Sequence, residues 1–397
     1  MLVAGGAIGA GMFALPLVAS GTWFINSAIG LLFVFGFTYL SASLLVDVNS
    51  TYPEGSSFDT LVRNVLGAKW AALNNLSVSF ILFILMYAYI TAGAGILERS
   101  VVEPLLASSD ISVIVPRELL TALFTLFIAL FIAFGTVSVS RLSGILMVGM
   151  CLSFVTANFG ILSSLNFDSL GHQAGSDISY LWSALPVFVT AFACAGLVPS
   201  LNDYYRRDVL AVKRVVFCGL LLALSVYLIW LASTLGSVSR SGFIDVEANG
   251  GGLSALVHAL QGKADNSWIQ YSLNWFSNFA VITSFLSVGL GLVHFLIDQF
   301  NLKKQTFATT RAVLLAFLPT LLASIIAPYG FVTAISYAGV FVALSFFILP
   351  ALIYRRANER AKLCSKIGIA WSSVLIFGFL IISLKVATIF DLLPSYP

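Results

Sequence analysis

Residues 5–16 read GGAIGAGMFALP, with Gly5, Gly6, Gly9 and Gly11 followed by Pro16. Their chemistry is that of exposed main chain. Glycine and proline both break helices, and glycine lacks a Cβ that would keep a ligand from the backbone. A second such stretch reads FACAGLVPSL, where Ala193-Cys194-Ala195-Gly196 is followed by Pro199. A helix that starts beyond Gly11 turns its positive end toward the break, and one that ends near Phe192 turns its negative end. The pair suits a zwitterion. The N–H groups of Ala7, Ile8, Gly9, Ala10 and Gly11 would take a carboxylate, and the carbonyls of Gly6, Phe192 and Ala193 an ammonium. An α-amino acid carries both groups.

Side-chain chemistry is sparse. We find no acidic pair at metal spacing and no Ser/His/Asp set plausibly placed for catalysis, so an enzyme is not expected. The four cysteines, Cys151, Cys194, Cys218 and Cys364, lack metal-type spacing. No cofactor is expected. A binding slot for an apolar side chain with one or two polar groups would draw on Phe188, Phe192, Tyr87, Thr91, Asn278 and Tyr337. Thr283 and Ser284 form a hydroxyl pair deeper in the same predicted span as Asn278. His294 lies one turn before Asp298, which reads foremost as an interfacial contact. No span centre carries Lys, Asp or Glu, so no proton carrier stands out.

The elements that hold these residues follow from composition. The 397-residue chain is 59% hydrophobic and 9% charged, with a mean hydropathy of +1.00. Soluble domains carry about 25% charged residues, so the chain is expected to be an all-α membrane protein. Apolar runs of about twenty residues match a helix crossing the bilayer, whereas a β-barrel would alternate over roughly ten. Eleven spans are predicted: 2–20, 24–46, 76–97, 118–136, 142–163, 181–201, 215–236, 272–297, 312–327, 331–350 and 368–388. The connections 47–75, 137–141, 202–214, 298–311 and 351–367 fall on one side and hold most of the Lys and Arg. That side is expected to be cytoplasmic, with the N-terminus inside and the C-terminus outside. No basic leader precedes the first span, so a cleavable signal peptide is not expected.

Two connections should contain short helices. In SSFDTLVRNVLG (56–67), Ser57 or Asp59 is placed to cap a surface helix, and GGLSALVHALQG (251–262) has a similar pattern between glycines. The two breaks are separated by five spans and lie in helices of opposite direction. Residues 1–163 and 181–350 therefore form two inverted halves of five spans, with 368–388 an extra helix, in a single transmembrane domain. Interrupted segments at corresponding positions point to a transporter site. No basic domain suggests nucleic-acid binding, and a channel would need a pore ring that nothing here supplies.

IGAGMFALP (8–16) resembles the first-span signature of the amino acid–polyamine–organocation superfamily, which has an inverted five-plus-five fold. GSSFDT (55–60), YAYI (87–90), VPSL (198–201), GGL (251–253) and FSNFAV (276–281) make the chain similar to bacterial aromatic amino acid permeases, nearest the tryptophan branch. That resemblance implies proton-driven uptake of tryptophan, or next of tyrosine, across the inner membrane. Members carry a His-Gly pair where this chain has Ala195-Gly196, so a proton-relaying residue is missing there. In sodium-coupled transporters of this fold a hydroxyl pair completes an ion site. By that resemblance Thr283 and Ser284, with the carbonyls of Gly5 and Ile8, would bind sodium, and a sodium symporter is the alternative reading. Members also have a leader before the glycines; here only Met1-Leu2-Val3-Ala4 precede Gly5, so the first half-helix is expected to span about one turn.

Overall fold

A backbone in hydrocarbon must satisfy its polar groups within its own segment, so apolar runs of this length fold as helices. The computed structural model describes residues 8–102, 105, 115–163, 170–171, 176–262, 266–300, 302, 307–361 and 368–395. Among these, every regular element is helical. Eight helices are long and apolar enough to cross a membrane: Trp23–Asn49, Ala68–Val102, Thr136–Leu162, Val209–Ser237, Ser267–Gln299, Ala308–Ile326, Phe331–Glu359 and Ile369–Ile389. Arg117–Ala133 is a shorter helix at the predicted span 118–136. The predicted spans 2–20 and 181–201 are the interrupted ones. The first contains a 3-10 turn, Ala10–Phe13, leading into the helix Ala14–Ala19. The second splits into Ser179–Ala191 and Val198–Tyr204.

The expected short helices form. Phe58–Val65 is capped by Ser57, whose Oγ accepts from the Thr60 N–H at 3.2 Å, and it buries Leu61, Val62 and Val65. Asp59 is not the cap; it pairs with Arg63 at 3.3 Å. Leu253–Gln261 is bracketed by Gly252 and Gly262. Before it stands a helix the sequence pattern did not reveal, Arg240–Ala248, capped by Ser239. It is one of the least apolar helices of the chain, which is why hydropathy passed over it.

The chain forms two compact units, each drawing on both halves of the sequence. The first takes the described residues within 1–81, 174–229 and 336–396. At its centre the Ser179–Ala191 helix packs against Ala14–Ala19, Trp23–Asn49 and Gly368–Ile389. Small residues permit close approach in this unit: a Cβ on Gly339, in the Phe331–Ala343 helix, would lie 2.3 Å from the Pro186 carbonyl oxygen. At one end of this unit the Asn202 amide donates to Asn49 Oδ1 at 2.6 Å, while Asn49 donates to the Ser56 carbonyl at 3.3 Å. The Gly55 N–H donates to Asp203 at 3.0 Å, Arg207 donates to the Tyr52 carbonyl, and Lys213 pairs with Asp47 at 2.6 Å. Segment 50–57 is thereby tied to the end of the second interrupted span. The backbone there turns through two consecutive left-handed residues, Arg206 (φ 48°) and Arg207 (φ 64°).

The second unit takes the described residues within 82–173 and 230–335. The Ser267–Gln299 helix is its axis, packed along Thr136–Ser163 and against Arg117–Ala133 and Ala308–Ile326. Gly149 and Gly160 admit Phe279 and Ile269 into the first of these contacts. The Phe276 ring of the axis helix lies tilted against Phe154 and edge-on against Trp230, with centroids 5.1 and 5.4 Å apart.

Candidate functional site

The first break lies in the first unit. Gly9 is fully extended (φ −160°, ψ −163°), and the first helical bond runs from the Met12 N–H to the Gly9 carbonyl at 3.1 Å. Helix starts leave their leading N–H groups without intrahelical acceptors, and here these are the groups of Ala10 and Gly11. Pro16 sits in the first turn of Ala14–Ala19, where a missing N–H costs little. A Cβ on Gly11 would meet nothing within 4 Å. The main chain at Gly11 therefore borders open space, although Met12 to Leu15 immediately beyond are fully buried. Gly5, Gly6 and Ala7 lie outside the described residues; Ile8 is half-buried.

The second break spans Phe192 to Cys194, where the predicted run of small residues begins. The Ser179–Ala191 helix ends with the Phe192 N–H on Phe188 and the Ala193 N–H on Thr190, at 3.3 and 3.2 Å. A 3-10 turn, Ala195–Leu197, then leads into Val198–Tyr204, with Pro199 in its first turn. The Ala14–Ala19 and Ala10–Phe13 turns both pack on the Ser179–Ala191 helix, so the two breaks belong to one packed group.

One residue that sequence reasoning missed holds this group. The Tyr227 hydroxyl donates to the Ala191 carbonyl at 2.7 Å, supplying a donor to a carbonyl at the helix end. A tyrosine inside a leucine-rich run was the available signal, because a buried phenol needs a partner. Phe192 rests edge-on against the Tyr227 ring, with centroids 5.0 Å apart. Phe188 lies against Gly30 of the next helix. Both phenylalanines are fully buried. Tyr337 is 40% exposed, and the Lys385 ammonium stands 4.3 Å from its ring centroid. Lys385 is buried, which its place near the end of an apolar run did not suggest.

The remaining candidates lie in the second unit, where each has a partner. The Tyr87 hydroxyl donates to the Ala327 carbonyl. The Thr91 hydroxyl returns to the Ala88 carbonyl at 2.8 Å, and the Asn278 amide donates to Ser100 Oγ at 2.9 Å. Thr283 bonds back to Phe279 at 2.8 Å. Ser284 bonds the hydroxyl of Tyr89, a residue the sequence reading did not single out. His294 Nε2 is 3.4 Å from Thr136 Oγ1.

The model of the tryptophan/tyrosine permease family matches residues 1–390. The chain belongs to that family. The permease is 38% identical over 364 residues to the tryptophan-specific transport protein of Haemophilus influenzae, a match covering 91% of this chain and 87% of the relative. It is 36% identical to the tryptophan-specific transport protein of Pseudomonas aeruginosa, covering 95% and 91%. Among solved structures, MhsT in complex with L-phenylalanine aligns with a TM-score of 0.64 at 15% identity, covering 98% of this chain and 97% of that one. The permease thus has the inverted-repeat transporter fold expected from its two breaks, and it is a multi-pass membrane transporter, not an enzyme. Among its described residues no group of three His, Cys, Asp or Glu could hold a metal ion.

Proposed function

We propose that this permease carries tryptophan, and with lower preference tyrosine, across the bacterial inner membrane by alternating access. The observation that carries the reading is the pair of breaks packed together in one unit, with open space before the main chain of Gly11. The Gly9–Gly11 N–H groups take the substrate carboxylate, and carbonyls at Phe192 and Ala193 take its ammonium. The N–H groups of Ala7 and Ile8 extend the carboxylate contact, and the Gly6 carbonyl extends the ammonium contact. Phe188, Phe192 and Tyr337 are the candidates for side-chain selection in this unit; the sequence candidates Tyr87, Thr91 and Asn278 belong to the other unit. The names of the two tryptophan-specific relatives support the choice of cargo. Residues 1–163 and 181–350 are read as the inverted halves. The bias of Lys and Arg supports a cytoplasmic N-terminus and a periplasmic C-terminus.

A proton is the coupling ion in this reading. Sodium is the second reading, favoured by Ala195, where the family resemblance implies a histidine, and by the hydroxyls of Thr283 and Ser284, with Gly5 and Ile8 as carbonyl donors. The deciding experiment is uptake of labelled tryptophan, tyrosine and leucine into proteoliposomes under a proton gradient alone and a sodium gradient alone. Tryptophan accumulation under the proton gradient is expected. Accumulation under sodium alone replaces the proton, and no aromatic uptake under either gradient overturns the reading.

A further inference from the structure

Within the second unit a cavity of about 610 Å³ is walled by the end of the Ala68–Leu97 helix, the start of Arg117–Ala133, the helices Arg240–Ala248 and Leu253–Gln261, and residues 328–331. Pockets for small molecules measure about 300–1,000 Å³. Its lining is strongly charged for a protein with so few charges: Glu98, Arg99, Arg117 and Asp245 all line it, with His258 beside them.

The two arginines are fixed in place. Arg99 donates to the Ser254 carbonyl. Arg117 donates to the Pro328 carbonyl at 3.3 Å and lies 4.6 Å over the Tyr329 ring. A guanidinium has five N–H donors, and Arg117 commits one in these contacts. Among the described residues no carboxylate lies within ion-pair distance of it. Both ends of Arg240–Ala248 and of Leu253–Gln261 line the cavity, so their dipoles give it no single sign and the positive wall is that of Arg117. A carboxylate is therefore the group this wall recognises. A simple anion is disfavoured, because Glu98 and Asp245 share the lining and would repel it; the same two acids suit an ammonium. Tyr329 is 61% exposed and offers an aromatic surface beside the guanidinium.

We propose that this cavity is a second amino-acid-binding site, with Arg117 as its carboxylate contact, Glu98 and Asp245 as its ammonium contacts and Tyr329 as a platform for an aromatic side chain. Its lining belongs wholly to the second unit, and it rests on the reading that an aromatic amino acid is the cargo. Thr91, a candidate for selectivity on its sequence position, belongs to this wall.

The test is equilibrium binding of labelled tryptophan to the purified full-length permease in detergent, with the number bound per chain as the readout. Two sites are expected in the unaltered protein and one in Arg117→Gln. Gly11→Val, which obstructs the first break, retains the Arg117-dependent site. Glu98→Gln and Tyr329→Ala each weaken that site by about tenfold, and they decide the matter if Arg117→Gln does not fold. Tryptamine, lacking the carboxylate, and indole-3-propionate, lacking the ammonium, should not displace it. A single site in the unaltered protein, or unchanged stoichiometry in a folded Arg117→Gln, overturns the proposal. So does full displacement by indole-3-propionate or inorganic phosphate, which marks a plain anion site. Failure of the transport reading looks different: tryptophan then neither binds nor is taken up.

Discussion

The Tyr227 hydroxyl and the Ala191 carbonyl, 2.7 Å apart, join one unbroken helix to the end of an interrupted one. Replacing Tyr227 by Phe keeps the ring against Phe192 and removes only the donor. A buried carbonyl left without its partner costs about 1–3 kcal/mol. We expect Tyr227→Phe to lower the melting temperature of the purified permease and to reduce tryptophan uptake. An unchanged melt and unchanged uptake would remove Tyr227 from its role at the break.

Two glycines in the same unit should respond oppositely to one methyl group. At Gly339 the new carbon would stand 2.3 Å from the Pro186 carbonyl oxygen, so the helices must part. Such overpacking costs about 1–3 kcal/mol, and Gly339→Ala should melt early. At Gly11 the methyl has room. Gly11→Ala should melt as the parent does yet bind tryptophan more weakly, since the methyl occupies space the carboxylate needs. Calorimetry together with binding separates the two effects.

The turn at Arg206 and Arg207 gives a third contrast. Left-handed backbone costs a non-glycine residue roughly 1–2 kcal/mol, part of which glycine returns as chain entropy. Arg206 is exposed, and Arg206→Gly should raise stability by up to about 1 kcal/mol. Arg207→Gly relieves the same strain but forfeits the bond to the Tyr52 carbonyl and the 3.8 Å pair with Asp203. It should be the less stable of the two variants in a thermal melt.

A pH dependence follows from Asp177, just ahead of the Ser179–Ala191 helix. The Ser179 N–H donates to its carboxylate at 2.7 Å, and with the Ser179 hydroxyl this holds the carboxyl below its usual value of 3.8. A lowered folded-state pKa gives stability that is present above the unfolded value and lost as pH falls through the folded one. Asp177→Ala should therefore melt below the parent at pH 7, with the gap closing as the pH is taken beneath that lowered value. A gap constant with pH would show that the carboxylate contributes nothing.

The main architecture was readable because the bilayer imposes length and apolarity on each span, and because glycine and proline mark where a span cannot stay helical. Gly9, Gly11, Ala193 and Pro199 mark both breaks in the sequence itself. Ser57 was readable as a cap for the same local reason. What stayed hidden depends on distant partners. Tyr227 meets Ala191 and Tyr89 meets Ser284 through packing, and no spacing rule reports that. Tyr87 and Asn278 look like pocket residues in the sequence, yet each hydroxyl or amide has a protein partner, Ala327 and Ser100. Arg240–Ala248 escaped notice because its pattern is polar, and with it went the cavity it helps to wall.

The join between Asn49 and Asn202 is buried and carries no formal charge, whereas the contacts around it are ionic. Lys213 and Asp47 stand at the rim with side chains 25% and 34% exposed. Mobile ions screen exposed charge pairs over roughly 8–10 Å and barely touch a buried neutral amide pair. The fastening of segment 50–57 is thus insulated at its core. A rise in ionic strength loosens the rim and leaves the amide pair in register, so the grip is buffered against the ionic weather of whichever compartment bathes it.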